Sequence, residues 1–329
     1  MWMPPEWAPH SATLMAWPCL KELWGDRLQD AKREYAGVAR AIADFEPVIM
    51  LCDPEAEREV HDRCGAGIQT LPVPLDDSWL RDSGPAFVRN AQGRVAAVKF
   101  QFNAWGDRFP RYEHDQDVPY RIAEHLGMRT FTAPFVLEGG SFFVDGEGTL
   151  ITTEMCLLNP NRNPGMTKEQ IEDGLRDYLG VETIVWLPFG EAADVGPSGT
   201  DGHVDGVLQY VAPGHVMLLA PEDEAAPDHA FGRANLERLE ASRDAKGRSF
   251  RISRLDVTAA AEAAYANCYL ANGAVIVPIA EDAEDGDALD QIGRIFPDRE
   301  VVGVPGMTIL YGGGGPHCIT QQVPVGDPA

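Results

Sequence analysis

The chain has 329 residues, of which 44% are hydrophobic and 24% are charged, so it has the composition of a globular protein with a large core. Acidic residues outnumber basic ones by 51 to 27, and the formal net charge is −24. This charge argues against binding to nucleic acid or to anionic membrane surfaces, and it favours a small cationic ligand.

The cysteines and the N-terminal segment predict where the protein resides. Six cysteines stand singly, without a CxxC pair, which is typical of a reduced intracellular protein rather than of a disulfide framework or a structural zinc site. No basic segment leads into an apolar run at the N-terminus, and no stretch of about eighteen apolar residues occurs. We therefore expect a cytoplasmic protein with neither signal peptide nor membrane span.

Short apolar runs alternate with amphipathic stretches along the chain. The tryptophan-rich and proline-rich start, residues 1–24, predicts an irregular segment, and apolar positions at helical spacing predict a helix over 28–42. Thr167 and Gln170 have the form of a capping box for a helix that ends near Gly180. Further helices are predicted at 56–64, 118–126, 231–243 and 288–295. Strands are predicted at 48–51, 68–73, 95–102, 181–187, 204–211, 216–219, 265–270 and 274–277. Residues 309–311 are predicted to end a further strand.

The alternation of strands and helices predicts an α/β fold. Units of roughly sixty residues recur and suit a radially repeated architecture, in which side chains from each unit converge on a central axis. No low-complexity linker divides the chain. We therefore expect a single catalytic domain over residues 1–329.

The segment Gly312 to Pro324, GGGGPHCITQQVP, is the strongest candidate for a reactive site. Its four consecutive glycines allow positive φ angles and a close approach of the backbone to a ligand, and Cys318 follows them. A thiol presented by such a turn can act as a nucleophile if a neighbouring cation lowers its pKa. Alternatively, the glycines only build a turn and Cys318 is a small buried apolar residue.

Two further segments place charged residues beside turns. In DDSWLRDSGP, Trp79, Arg81 and Asp82 stand directly before a Ser-Gly-Pro turn. In LEGGSFF, Glu138 lies between an apolar run and a glycine pair that begins at Gly139, where burial would perturb its pKa. The simpler alternative for both segments is a surface turn with exposed carboxylates.

The segment TDGHVDGV supplies a histidine and a carboxylate two residues apart. If the strand begins at His203, the period of two puts His203 and Asp205 on one face, where both can contact one ligand. The alternative is an exposed sheet face without a function.

The four segments together supply a thiol, an imidazole and three carboxylates, which a cation must balance. A metal is one solution, because His203, Asp205 and His317 could form the two-histidine, one-carboxylate site of an Fe(II) oxygenase. The other solution is a cationic substrate. A guanidinium group is planar and always charged, so Asp82 and Asp205 could grip its nitrogens while Cys318 attacks its central carbon.

Seven segments in order along nearly the whole chain resemble the agmatine deiminases of the guanidine-modifying superfamily: SWLRDSGP, FNAWG, LEGGS, GEGTLITTEMCLLNPNRNP, TDGHVDG, YLANGAVIVP and GGGGPHCITQQVP. The resemblance implies a five-bladed α/β propeller, the pentein fold, with the active site on its axis and with neither metal nor cofactor. It also implies hydrolysis of agmatine to N-carbamoylputrescine and ammonia, and a homodimer.

The resemblance also implies roles for individual residues. Cys318 resembles the nucleophile, His203 the general acid and base, and Glu138 the carboxylate that orients His203. Asp82 and Asp205 resemble the ligands of the guanidinium group. The remaining positions that match the substrate pocket are Trp79, Gly139 and Gly315.

Three departures from the family pattern flank the expected pocket. Gly206 stands where the family commonly has Asn, Gly315-Pro316 replaces the usual Asn-Ile, and Val195 to Gly199 resembles an insertion. These departures leave open a different substrate, such as another alkylguanidine, free arginine or a peptide-terminal arginine. A catalytically silent guanidine-binding protein is a further alternative, which the intact set of Cys, His and carboxylates disfavours.

Overall fold

The computed structural model describes residues 1–196 and 199–329. The strands are β1 (His10–Ala16), β2 (Val48–Cys52), β3 (Gln69–Pro72), β4 (Ala86–Arg89), β5 (Arg94–Gln101), β6 (Thr130–Val136), β7 (Phe142–Val144), β8 (Thr149–Thr153), β9 (Thr183–Leu187), β10 (Leu208–Ala212), β11 (His215–Leu219), β12 (Arg251–Leu255), β13 (Tyr269–Ala271), β14 (Ala274–Ile279), β15 (Glu300–Pro305), β16 (Thr320–Pro324) and β17 (Asp327–Pro328). The helices are α1 (Lys21–Trp24), α2 (Leu28–Ala43), α3 (Glu57–Cys64), α4 (Leu80–Ser83), α5 (Ala104–Asp107), α6 (Glu113–His125), α7 (Glu154–Leu157), α8 (Lys168–Leu179), α9 (His229–Ala241), α10 (Asp285–Ile295) and α11 (Met307–Tyr311).

The strands form five small sheets, which are the blades of an α/β propeller, as the sequence predicted. Each blade begins with an antiparallel pair, and a third strand then runs parallel to the second, as in β7-β8-β9. A helix always connects the second strand to the third: α2, α6, α8, α9 and α10 in the five blades. The first strands begin at residues 86, 142, 208, 269 and 320, which confirms a repeat of about sixty residues.

The two ends of the chain meet in one blade. β16 pairs antiparallel with β1, and Thr13 lies opposite Gln322, so the last segment of the chain supplies the first strand of the blade that β1 continues. The blade therefore joins residues more than 300 positions apart. No helix in the described residues has both the length and the apolar composition needed to cross a bilayer.

Local sequence signals explain where several elements begin and end. Thr167 and Gln170 form the predicted capping box of α8, and Gly180 ends that helix with a left-handed φ of 68°. β14 is apolar and almost completely buried, as expected for a strand that is covered on both faces.

Four predicted elements are wrong. The strand predicted at 265–270 begins only at Tyr269, because residues 265–268 form a turn ahead of β13. The start of the chain is not irregular throughout, because residues 10–16 form β1 between β2 and β16. The predicted strand at 204–211 begins only at Leu208, and Val204–Gly206 is a 3₁₀ turn, since Gly202 and Gly206 favour a turn over a strand. Residues 309–311 belong to α11, whose first amides donate to the Glu34 carboxylate from the distant helix α2.

Candidate active site

Each blade contributes at least one buried polar side chain from the segment that precedes its first strand. These residues are Asp82 before β4, Glu138 before β7, His203 before β10, Asn267 before β13 and Cys318 before β16. Each lies two to five residues ahead of its strand. The pseudo-fivefold repeat therefore brings together side chains that are as far as 236 residues apart in the sequence.

The Cys318 thiol lies beside an amide and a carboxylate. Its Sγ is 3.1 Å from Nδ2 of Asn267 and 3.5 Å from Oδ2 of Asp205. Burial, followed by the charges of Asp205 and Asp82, raises the pKa of the Cys318 thiol well above its usual value. In the protein without substrate the sulfur is therefore protonated at neutral pH.

The His203 imidazole is buried and faces two carboxylates. Its Nδ1 lies 3.8 Å from Oδ1 of Asp82 and 4.0 Å from Oδ1 of Asp205. Neither ring nitrogen has a hydrogen-bond partner among the residues that the structure describes. Burial disfavours the protonated ring, but Asp82, Cys156 and Asp205 outweigh burial and raise the pKa of His203 well above its usual value. The ring therefore carries a proton that it can donate.

Glu138 is held by an arginine that the sequence analysis did not single out. Arg162 donates from Nε to Oε1 of Glu138 at 2.5 Å, and its other nitrogens bind Asp201 and the backbone oxygen of Thr200. The second oxygen, Oε2, has no partner in the described part of the chain. Glu138 and His203 have ligand atoms within 4.8 Å of each other but share no hydrogen bond, so the predicted orienting contact stays a prediction.

Asp82 is fixed by a backbone amide and an indole. Gly140 donates to Oδ1 at 2.9 Å, and Trp105 donates from Nε1 to Oδ2 at 2.9 Å. Trp105 lies in α5, whose backbone is left-handed, with a φ of 56° at the tryptophan. A strained backbone of this kind persists only where the surrounding structure holds it. Here it places the indole of Trp105 where it can donate to Asp82.

The glycine pair after Glu138 has two separate roles. A Cβ at Gly140 would lie 2.6 Å from Nδ1 of His203 and 2.8 Å from Oδ2 of Asp205, so only glycine leaves the centre open. A Cβ at Gly139 would lie 2.1 Å from the backbone oxygen of Arg81. Gly139, which we predicted at the substrate pocket, therefore packs against the backbone of Arg81, and Gly140 borders the reactive centre.

Asp205 is the end of a buried network of charges. His317 donates from both ring nitrogens to carboxylate oxygens at 2.8 Å, from Nδ1 to Asp205 and from Nε2 to Glu6. Glu6 also lies 3.6 Å from the Arg81 guanidinium. Burial alone would raise the pKa of Asp205, but the hydrogen bond and charge of His317 lower it, so Asp205 is ionised. The sequence analysis missed Glu6, which no local pattern links to His317.

Trp79 and Gly315 have different surroundings. Trp79 stacks on Trp24 with ring centroids 5.9 Å apart and lines a cavity together with Asp82 and Cys318. A Cβ at Gly315 would lie 2.7 Å from Oδ1 of Asn267, so Gly315 allows that amide to approach the sulfur. The backbone amide of Gly315 also donates towards the Cys318 thiol, which opposes the rise in its pKa, and the predicted place of Gly315 at the pocket stays a prediction.

The proposed Fe(II) site is contradicted by the contacts of His317. Both of its ring nitrogens are already bound to carboxylates, so neither can bind a metal together with His203 and Asp205. Among the described residues, the side chains whose ligand atoms lie close enough together to hold a metal ion are Glu138, Cys156 and His203. Arg162 already neutralises the carboxylate of that group, which disfavours a further cation there.

The proposed insertion at 195–199 lies partly outside the described residues, which omit 197 and 198. On either side of it, Asp194 accepts hydrogen bonds from the backbone amides of Thr200, Gly202 and His203. One carboxylate therefore fixes the loop that presents the imidazole.

The sequence and the fold are both similar to those of known deiminases. The family model for Porphyromonas-type peptidyl-arginine deiminase matches residues 2–324. The agmatine deiminase of Pseudomonas aeruginosa (strain LESB58) is 42% identical over 354 residues, covering 98% of this chain and 95% of that protein. The agmatine deiminase of Stutzerimonas stutzeri (strain A1501) is 40% identical over 356 residues, with the same coverage. The solved agmatine deiminase of Enterococcus faecalis is 35% identical with a TM-score of 0.93, covering 98% of this chain and 95% of that one. The chain therefore belongs to the Porphyromonas-type peptidyl-arginine deiminase family, which confirms the predicted resemblance to agmatine deiminases.

Proposed function

We propose that the protein hydrolyses the guanidinium group of agmatine to N-carbamoylputrescine and ammonia, with Cys318 as the nucleophile. The single observation that carries this proposal is the convergence of a buried thiol, a protonated imidazole and two carboxylates on one centre, which lies between two cavities that both border Cys318. Relatives named agmatine deiminase, about 40% identical over almost the whole chain, support the choice of substrate.

The guanidinium group would bind between Asp82 and Asp205. Asp82 is fixed by its two hydrogen bonds, and His317 keeps Asp205 ionised, so both carboxylates are held in place before the substrate arrives. A planar cation that donates two parallel hydrogen bonds to each carboxylate matches this arrangement. The carboxylates would also keep the guanidinium protonated, which makes its central carbon electrophilic.

The substrate itself would activate the thiol. The pKa of Cys318 is raised by burial and then by Asp205 and Asp82. A guanidinium between these carboxylates offsets their charge and adds a cation next to the sulfur, so it lowers the pKa of the thiol. The thiolate would therefore form, with loss of its proton to solvent, when the substrate is bound.

Two stages of covalent chemistry follow. The thiolate adds to the guanidinium carbon, and protonated His203 gives its proton to one nitrogen of the adduct, which leaves as ammonia. An amidino-thioether then remains on Cys318. Neutral His203 takes a proton from water, the resulting hydroxide adds to the same carbon, and the bond to sulfur breaks. The hydroxyl proton leaves as the ureido carbonyl forms, and the released ammonia takes it up as ammonium.

We further propose a single catalytic domain over residues 1–329 that acts as a cytoplasmic homodimer. The contact between Glu6 and His317 supports one domain, because the centre draws on both ends of the chain. The six free cysteines support a reducing compartment. The dimer rests on the resemblance to the family, and sedimentation of the purified protein would test it.

The decisive experiment measures ammonia release from agmatine by the wild type, Cys318→Ala and the control Cys52→Ala. Cys52 is a buried thiol in β2 and lies outside the centre. We expect Cys318→Ala to lose activity by a factor on the order of 10⁴ or more, as for other covalent nucleophiles, and Cys52→Ala to remain active. Acid quench and intact-mass analysis should show an amidino adduct on the wild type and on Cys52→Ala, but not on Cys318→Ala. Full turnover by Cys318→Ala would overturn the proposal, and agmatine binding without turnover by the wild type would favour the silent binding protein.

A further inference from the structure

We propose that Glu191 binds the ammonium end of the substrate and that Gly206 is the residue that makes room for it. This inference rests on the proposed function, since it concerns the end of agmatine that does not react. It assigns the substrate class as a short guanidine with a terminal amine, in preference to arginine or a plain alkylguanidine.

A single small cavity connects Glu191 to the reactive centre. The cavity has a volume of about 160 Å³, and its walls include Cys318, His203 and Asp205 together with Glu191 and Gly206. A substrate whose guanidinium group lies against Asp205 must place its remaining atoms along this cavity. The volume suits a short aliphatic chain and is small for a peptide.

The Glu191 carboxylate has no compensating charge from the described residues that surround it. Burial, followed by the carboxylates of Asp228, Asp194 and Asp205, raises the pKa of Glu191 to about 8. Asp194 and Asp228 are each bound to backbone amides, and Asp205 is bound to His317, so these three acids already have partners. Glu191 is therefore the acid in this group that a cationic ligand would satisfy.

Gly206 and Glu191 are sterically coupled. A Cβ at residue 206 would lie 3.2 Å from Oε2 of Glu191, which is closer than ordinary van der Waals contact. A larger side chain, such as the Asn that is common at this position in the family, would displace the carboxylate. Gly206 directly follows Asp205, so their Cα atoms are about 3.8 Å apart. The ligands proposed for the two ends of the substrate thus border the same turn.

The charge at this end of the cavity also excludes arginine. Arginine carries a carboxylate beside its amine, and that carboxylate would lie near Glu191, Asp194 and Asp228, where like charges repel. An alkylguanidine without an amine would leave Glu191 unpaired. Agmatine avoids both costs.

The test compares agmatine with pentylguanidine, in which a methyl group replaces the ammonium. We expect the wild type to prefer agmatine in kcat/KM by a factor on the order of 30, the low end of the range for truncating one partner of a buried charge pair, because Glu191 is half-buried. Glu191→Gln should remove most of this preference by raising KM for agmatine, with little change for pentylguanidine. Gly206→Asn should raise KM for agmatine in the same way.

The pH dependence provides a second readout. Because the carboxylate form of Glu191 binds the ammonium, KM for agmatine should fall as pH rises through about 8 in the wild type. Titration of Cys318 and His203 affects agmatine and pentylguanidine alike, so the ratio of their KM values reports on Glu191. The pH dependence of this ratio should vanish in Glu191→Gln. Equal turnover of the two substrates by an active wild type, or an unchanged KM for agmatine in Glu191→Gln, would overturn the inference alone. A wild type that releases no ammonia from any guanidine would overturn the proposed function and this inference with it.

Discussion

The two histidines of the centre are both buried, yet their surroundings are opposite. His317 has a carboxylate on each ring nitrogen, Asp205 on one and Glu6 on the other. His203 has no hydrogen-bond partner among the described residues, although two carboxylates lie within 4.0 Å of it. One side of the centre is therefore a completed network, and the other is left open to a ligand.

This difference assigns His317 mainly to the stability of the fold and His203 mainly to the reaction. A completed buried network fixes its members, so His317 and Glu6 hold Asp205 in position. Loss of one member would leave a buried charge without a partner, which lowers stability. Unpaired buried polar groups are costly and rare, so their presence around His203 indicates that the substrate completes them. The three predictions below test this division.

Replacing each histidine should give opposite results, and this is the largest expected effect. His203→Gln should lower kcat by a factor on the order of 10³, because it removes the proton donor, while the free energy of unfolding stays nearly unchanged. His317→Ala should lower the free energy of unfolding by about 3–5 kcal/mol, because two buried carboxylates lose their charged partner.

Steady-state kinetics and urea denaturation of both variants provide the measurement. The proposed difference between the two histidines is wrong if His203→Gln loses as much free energy of unfolding as His317→Ala, or if His317→Ala keeps full stability. A variant of an exposed histidine, His114→Gln, provides the control and should change neither quantity.

The two glycines after Glu138 provide a smaller contrast. Gly140→Ala should lower kcat/KM about 100-fold, because its Cβ would push on His203 and Asp205, which fix the geometry of the reaction. Gly139→Ala should act mainly on stability, because its Cβ would meet the backbone of Arg81. Activity per folded molecule, measured by active-site titration, distinguishes the two outcomes. Equal loss of activity per folded molecule in both variants would contradict the separation.

Acid stability should report on the completed network, with the smallest effect. Burial alone would raise the pKa of Glu6, but His317 and Arg81 lower it from 4.5 to about 2. The folded state therefore binds this proton less readily than the unfolded state, and the contribution of Glu6 is complete above pH 4.5 and is lost as pH falls towards 2. It amounts to a few kcal/mol, on the order of 3.

The thermal midpoints of the wild type and Glu6→Gln, measured from pH 6 to pH 2, test this sign. The wild type should lose more stability across the window than the variant, which lacks the titrating group. Parallel curves for the two proteins would show that Glu6 does not differ between the folded and unfolded states.

The sequence identified the side chains of the centre better than the backbone that carries them. Asp82, Glu138, His203, Asp205 and Cys318 stand in short segments rich in glycine and turn residues, and the structure brings all five together around His203 and Asp205. The strand predicted to carry His203 and Asp205 is a 3₁₀ turn, which nevertheless directs both side chains to the same centre. Period two was the wrong rule there, since the glycines beside these residues favour a turn.

Long-range partners could not be predicted from local patterns. Glu6 meets His317 across 311 residues, and Arg162 meets Glu138 across 24 residues. Asn267 could have been found from the repeat, because it occupies the position before β13 that the other site residues occupy before their strands. Aligning the five blades first would have revealed that position.

The two carboxylates that would bind the guanidinium group, Asp82 and Asp205, also affect how the protein responds to a common denaturant. Guanidinium ion is itself the reactive fragment of the proposed substrate, so at low concentration it should occupy the centre and stabilise the native state by mass action. At molar concentration guanidinium also solvates the unfolded chain, and this destabilising effect should then outweigh the stabilisation by binding. Unfolding curves in guanidinium chloride would then curve at their start, whereas curves in urea, which is uncharged, would fall linearly.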